Sequence, residues 1–296
     1  MLYSLYSQTV DSDIPLESFG ISPLKKFATS TIKLEFISYD ALDNKISNYQ
    51  NHQIHSSESY GYYYVADLAI FEIFTGSKII IKYFDNIDDD LIHTLLNYPF
   101  AILFNQRKKY VIHASSVIYK DKVFCFCGKS LAGKSSIAAY LISAGGFLLS
   151  EDTCVFDYIN DELSLLPSYN FLKLSDQLSD YSNISSAEPI KFFKKLTDRK
   201  GHILDSKRFS SEPRAVDHFF YLQWSEGLSN LEQLNSEDSL TKLLSHEFIS
   251  YSKEFALERF KAASTLVSEA DHYLYSREKK LHTLDNFVEI INQKLI

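Results

Sequence analysis

Apolar and polar positions alternate along Thr31–Tyr39 (TIKLEFISY), the period of a half-buried strand. Tyr62–Phe74 and Lys78–Phe84 are dense in Val, Ile, Tyr and Phe, and Thr75-Gly76-Ser77 between them predicts a hairpin. Residues 1–30 show no clear period, and Asp40–Ser59 reads as a polar loop. Asp88–Asp90 can cap a helix through Leu91, Leu95 and Leu96 that ends near Pro99. The pattern then changes. Strands are predicted at Tyr110–Ile118 and Lys122–Cys127, a helix over Ser135–Ser143 stopped by Gly145-Gly146, and a short apolar strand at Phe147–Leu149. Val155–Tyr158 and Leu163–Leu166 flank Asn160-Asp161, a second hairpin signal. A strand at His218–Gln223 follows, then helices over Ser239–Phe248 and Glu254–Glu269, a strand at His272–Ser276 and a final helix over Leu284–Leu295. The order strand, loop, helix, strand predicts an α/β fold, with 1–95 as an N-terminal β-rich unit and 96–296 as the core.

The net charge of −8, without a Lys/Arg block, argues against general nucleic-acid binding. Arg107-Lys108-Lys109, Lys194-Lys195, Arg199-Lys200 and Lys279-Lys280 read as solvated basic spots. Three cysteines, an odd and low count, fit a reducing compartment. Cys125 and Cys127 share one face of a strand. They are either half a metal site or two small buried hydrophobes, and no matching Cys/His pair follows them. The start MLYSLYSQTVDSD has no signal-peptide pattern, and no segment approaches the roughly 20 apolar residues that span a bilayer. The expectation is a cytoplasmic protein with no membrane partner.

Gly128-Lys129-Ser130-Leu131-Ala132-Gly133-Lys134-Ser135 matches the phosphate-binding pattern G-x-x-x-x-G-K-[ST]. With only 9 glycines in the chain, two at this spacing carry weight. An apolar strand leads in and a helical segment leads out, as the pattern requires. Gly128 and Gly133 allow a tight turn and close approach to phosphate. Backbone N–H groups of Lys129, Ser130, Ala132 and Ser136 complete the cradle at the helix N-terminus. Lys134 reaches the β- and γ-phosphates of a nucleoside triphosphate, and the Ser135 hydroxyl serves Mg²⁺.

Glu151-Asp152 follows the short strand Phe147–Leu149. In a parallel sheet this places two carboxylates beside the loop, one to hold Mg²⁺ and one to take a proton from an attacking hydroxyl. His113, in Val-Ile-His-Ala-Ser-Ser-Val on the strand before the loop strand, is either a satisfied core residue or a site residue.

His113-Ala114-Ser115, Gly128–Ser135 and Ser150-Glu151-Asp152, in this order, resemble the C-terminal catalytic domain of HPr kinase/phosphorylase and its kinase relatives. Leu166-Pro167-Ser168-Tyr169, Leu172-Lys173-Leu174, and Glu212-Pro213-Arg214 leading into Phe219–Leu222 extend the resemblance over about residues 85–296. It implies an HPr-kinase type of P-loop core and transfer of phosphate from Mg-ATP to a serine hydroxyl. Asp152 is then a metal contact with Ser135, and Glu151, His113 and Lys134 are catalytic. Glu151 stands where the family usually has Asp, and residues 1–85 do not match the family's separate N-terminal domain. Lasso-peptide precursor kinases are similar in size, which implies a peptide or protein acceptor, and a homo-oligomer is compatible. Among Arg199, Lys200, Lys207, Arg208 and Arg214, Arg199 or Lys200 is expected to face the phosphates. Competing readings are a P-loop ATPase and a nucleotide-binding protein that has lost catalysis. A GTPase would carry N-K-x-D, which is absent from the sequence.

Overall fold

The computed structural model describes residues 1–24, 31–39, 53–184, 189–192, 199–248 and 255–296. Most of the expected Asp40–Ser59 loop, Lys194-Lys195 and the start of the Glu254–Glu269 helix lie outside the described residues.

The chain is mixed α/β with several sheets. The first sheet has seven strands: β1 (Leu2–Leu5), β2 (Gln8–Ser12), β3 (Ile32–Ser38), β4 (Ile54–Ser56), β5 (Tyr60–Val65), β6 (Ala69–Phe74) and β7 (Lys78–Tyr83), ordered β1-β2-β3-β7-β6-β5-β4. The hairpin at Thr75-Gly76-Ser77 joins β6 and β7. Tyr62–Phe74 is not one strand, because Asp67 takes φ +58° and turns the chain between β5 and β6. Asp tolerates this region at low cost, so the break needs no glycine. The β1–β2 turn is less legible still: Tyr6 and Ser7 both take positive φ, 52° and 54°. Burial of the Tyr6 ring against Phe100 and Phe104 offsets the strain.

Helix α1 (Asp89–Leu95) is capped by Asp88, whose carboxylate accepts from Leu91 N at 2.9 Å. Pro99 does not end the helical region; it opens a second helix, α2 (Tyr98–Gln106), where its missing N–H costs nothing. Phe100 to Phe104 of α2 pack into the core of the first sheet, and Val111, Val155, Leu166 and Phe171 of the following region join that same core.

The second sheet holds β8 (Tyr110–Tyr119), β9 (Lys122–Cys127), β10 (Phe147–Ser150), β11 (Thr153–Ile159) and β12 (Glu162–Leu165), together with β16 (His218–Trp224), β17 (Asn230–Gln233) and β18 (Asp271–Arg277). Its order is β12-β11-β8-β9-β16-β18-β17, with β10 paired to β8. A small sheet joins β13 (Phe171–Ser175), β15 (Arg199–Ile203) and β14 (Ile190–Lys191). Helices α3 (Lys134–Ser143), α4 (Asp176–Tyr181), α5 (Ser236–Ser245), α6 (Ala256–Glu269) and α7 (Thr283–Lys294) complete the chain. Period-two alternation along β9 explains the layering. Phe124 and Phe126 meet α3 and α7 on one face, while Cys125 and Cys127 meet α5 and α6 on the other. All three cysteines are free and buried, as small hydrophobes. Among the described residues no His/Cys/Asp/Glu group could hold a metal by itself, and no helix is long and apolar enough to cross a membrane.

The expected parallel neighbourhood of β10 and the loop strand is not observed. β9, β16 and β18 run parallel, but β8 lies between β9 and β10 and is antiparallel to both. The cause is the tight turn Lys120-Asp121, with φ 48° and 65°, which makes β8 and β9 a hairpin. Two reversals leave β9 and β10 pointing the same way. Their carboxyl ends therefore open on one edge of the sheet, which is where the sequence places the loop and the acidic pair.

Candidate functional site

The loop between β9 and α3 is shaped by its two glycines. Gly133 takes φ +98°, and a Cβ there would stand 2.8 Å from Arg277 Nη2. A Cβ on Gly128 would stand 2.8 Å from Ala132 Cβ. Lys134 begins α3 and is buried; its Nζ donates to the backbone oxygens of Gly128 at 2.9 Å and Lys129 at 3.4 Å. The ammonium thus spans the loop from within, and burial pushes its pKa down. Gly128, Lys129, Ser130, Ala132, Gly133, Lys134, Ser135 and Ser136 all line one cavity of about 1680 Å³. That exceeds the usual volume of a small-ligand pocket, roughly 300–1,000 Å³.

Glu151 follows a bulge in the pairing of β10 with β8, and its backbone N–H donates to Ser168 Oγ at 3.0 Å. Ser135 Oγ donates to Glu151 Oε1 at 2.6 Å. Glu151 Oε2 is buried without a hydrogen-bond partner. Burial, and then the charge of Asp152, push the Glu151 carboxyl up to about 7. Asp152 takes φ +57°. Ser135 meets Glu151, while Asp152 Oδ2 lies 3.7 Å from His93 Nε2. Lys173 Nζ in turn lies 3.2 Å from that nitrogen. Burial would raise the Asp152 carboxyl, but the contact with His93 and the charge of Lys173 outweigh it and hold it well below the usual carboxylate range. Asp152 lines the cavity and Glu151 does not.

His113 also lines the cavity. Its Nδ1 lies 3.0 Å from the Asp152 backbone oxygen, and its ring meets Phe248 edge-on at 5.3 Å. Burial pushes its pKa down, so the ring is neutral near pH 7. Of the five basic residues considered from sequence, Arg199 lines the cavity. Lys200 instead pairs with Asp176 at 2.7 Å, and Arg214 with Asp121 at 2.9 Å. Lys207 and Arg208 sit in a short 3-10 helix, Ser206–Arg208, away from the cavity lining.

Several lining residues were not legible as site residues. His93 of α1, Tyr98 of α2 and Tyr63 of β5 come from the N-terminal part of the chain. Tyr98 bridges Tyr63 and Phe248, with ring centroids at 4.9 and 4.8 Å. Lys173 interrupts the apolar run of β13. Trp224 and Arg277 close the apolar strands β16 and β18, and that terminal position, beside a phosphate-type loop strand, was the available signal.

The oxygen set at Ser135 and Glu151 suits Mg²⁺, a hard cation that takes one or two protein oxygens and fills its remaining positions with water and phosphate. Asp152, next in the chain, adds a carboxylate that lines the cavity. The residues present therefore fit the ion.

No family model matches the chain, and no curated protein matches it. Among solved structures it matches the Hpr(Ser) kinase/phosphatase from Coxiella burnetii, with 10% identity over 62% of this chain and 92% of that one, at a TM-score of 0.29. This is a distant structural likeness.

Proposed function

We propose that the chain is a Mg-ATP-dependent phosphotransferase that moves the γ-phosphoryl group to a serine hydroxyl of a peptide or protein. The observation that carries this reading is the Ser135–Glu151 hydrogen bond of 2.6 Å at the N-terminus of α3, directly after a loop that Lys134 closes from within. The serine acceptor is supported by the motif resemblance of residues 85–296.

Ser135 and Glu151 would hold Mg²⁺, and the ion would supply charge to offset that of the phosphates. The loop N–H groups and the α3 N-terminus bind the β- and γ-phosphates. Lys134 exchanges its contact with the Gly128 carbonyl for a phosphate oxygen. Asp152 faces the cavity and stays ionised, so it orients the incoming hydroxyl and accepts its proton as the new O–P bond forms. The bond from γ-phosphorus to the β–γ bridging oxygen breaks, and ADP leaves. A weak base suffices because the phosphoryl transition state is loose. His113, neutral and hydrogen-bonded at the Asp152 backbone, fixes the turn that aims this carboxylate. These roles exchange the two acids relative to the order implied by the family.

The test is ADP formation from Mg-ATP with a pool of serine peptides, compared with Lys134→Ala and with metal removed. Acceptor-stimulated, metal-dependent turnover lost in Lys134→Ala is expected. Equal turnover in Lys134→Ala overturns the reading, and ADP release that no acceptor stimulates favours an ATPase.

A further inference from the structure

The acidic pair lies on one flank of the loop, reached through β8 and β10. The opposite flank belongs to β16 and β18. Both run parallel to β9, and Tyr221 pairs with Cys127 while Trp224 pairs with Arg277. Trp224 therefore lies three residues past the end of the loop strand's pairing, a rise of about 10 Å along the strand. There the two residues form a wall beside the loop. Trp224 Nε1 donates to the Leu131 backbone oxygen at 3.2 Å, and the Arg277 guanidinium sits 4.5 Å from the indole centroid. Arg277 is itself braced: it donates to Thr283 Oγ1 at 2.7 Å and to the backbone oxygens of Glu278 and Lys280 at 3.3 and 3.2 Å. The indole is thus held from one face, yet it remains 36% exposed and lines the cavity with Leu131, Leu281 and His282.

A nucleotide whose γ-phosphate points at Glu151 and Asp152 must leave the loop on the other flank. What waits there is an aromatic plane, aliphatic side chains and a fixed cation, the chemistry that takes the face of a nucleobase. The carboxylates among the described lining residues are Asp152 and Glu247. Glu247 adjoins Phe248, which meets the His113 ring on the acidic flank. Neither of these two lining carboxylates stands at the indole wall, where it could read the N1–H and amino group that distinguish guanine.

Resting on the phosphotransferase reading, we propose that Trp224, backed by Arg277, is the nucleobase platform of this site. It holds the base by its face and accepts adenine and guanine nucleotides with similar affinity.

Trp224 is the single tryptophan of the chain, so its emission reports the platform directly. Mg-ADP, Mg-ATP and Mg-GTP should each quench or shift it, while tripolyphosphate, which fills only the loop, should bind by calorimetry without that change. Trp224→Ala should weaken nucleotide binding about tenfold, the scale of one lost base stack, and weaken tripolyphosphate binding by a clearly smaller factor. Trp224→Phe, which keeps a ring but loses the bond to Leu131, should recover most of the affinity. The platform is overturned if nucleotides bind by calorimetry with no change in emission and equal affinity in Trp224→Ala. A strong preference for one purine overturns the face-only recognition. If neither nucleotide nor tripolyphosphate binds, the phosphotransferase reading falls and the platform with it.

Discussion

Ser135 Oγ and Glu151 Oε1 stand 2.6 Å apart, tying the first turn of α3 to the end of β10. Glu151 is itself buried, and burial and the charge of Asp152 push its carboxyl up to about 7. Ser135→Ala should keep the fold and lower metal-dependent turnover by about 10²-fold or more, the usual effect of losing one charge-stabilising contact. It should also raise the Mg²⁺ concentration needed for half-maximal rate. An unchanged Mg²⁺ requirement would separate Ser135 from the metal.

Of the acidic pair, Asp152 is the carboxylate that faces the cavity. Asp152→Asn keeps the side chain's size and removes its ability to accept a proton, and turnover should fall about 10²–10⁴-fold. Nucleotide binding by calorimetry should change little. If Asp152→Asn is active while Glu151→Gln is dead in transfer but normal in Mg²⁺ binding, the two acids keep the order implied by the family.

His246 stacks on Tyr221 and faces Lys134, His113 and Lys242. Burial first, and then the Lys134 ammonium, push its pKa down to about 4. An unfolded histidine titrates near 6.5, so the unfolded chain binds the extra proton between these values. Stability from this group is therefore complete above pH 6.5 and is lost as pH falls toward 4. Between pH 7.5 and 5.0 the loss is about 2 kcal/mol. Urea unfolding at the two pH values should show a smaller drop for His246→Asn than for the unmodified chain. Equal drops would contradict the assignment.

The Asp88 cap on α1 supports the segment that carries His93. Asp88→Ala should cost about 1 kcal/mol of stability, measured by denaturant midpoint. A change under a few tenths would mean the cap is replaced by water.

The sequence made legible those features that rest on local chemistry. The turn at Asn160-Asp161, the Gly76 hairpin, the Asp88 cap and the strand–loop–helix around Gly128–Ser135 all appear where their residues place them. The misses have tertiary causes. Tyr6 and Ser7 form a turn with no turn residue, because burial of the Tyr6 ring outweighs local preference. The helix capped by Asp88 ends before Pro99 as read, but that Pro99 also opens α2 was not legible, since only the fold shows which N–H is dispensable. Lys173, His93, Trp224 and Arg277 reach the cavity from four separate elements, and no spacing in the chain joins them.

The most direct test of the central claim is intact-mass and peptide mapping of the acceptor after incubation with Mg-ATP. The protein would be offered a library of serine peptides, beside Lys134→Ala and a metal-free control. The account predicts a gain of one phosphate on a serine, absent from both controls. Nucleotide binding with no phosphorylated product under any of these conditions would contradict it.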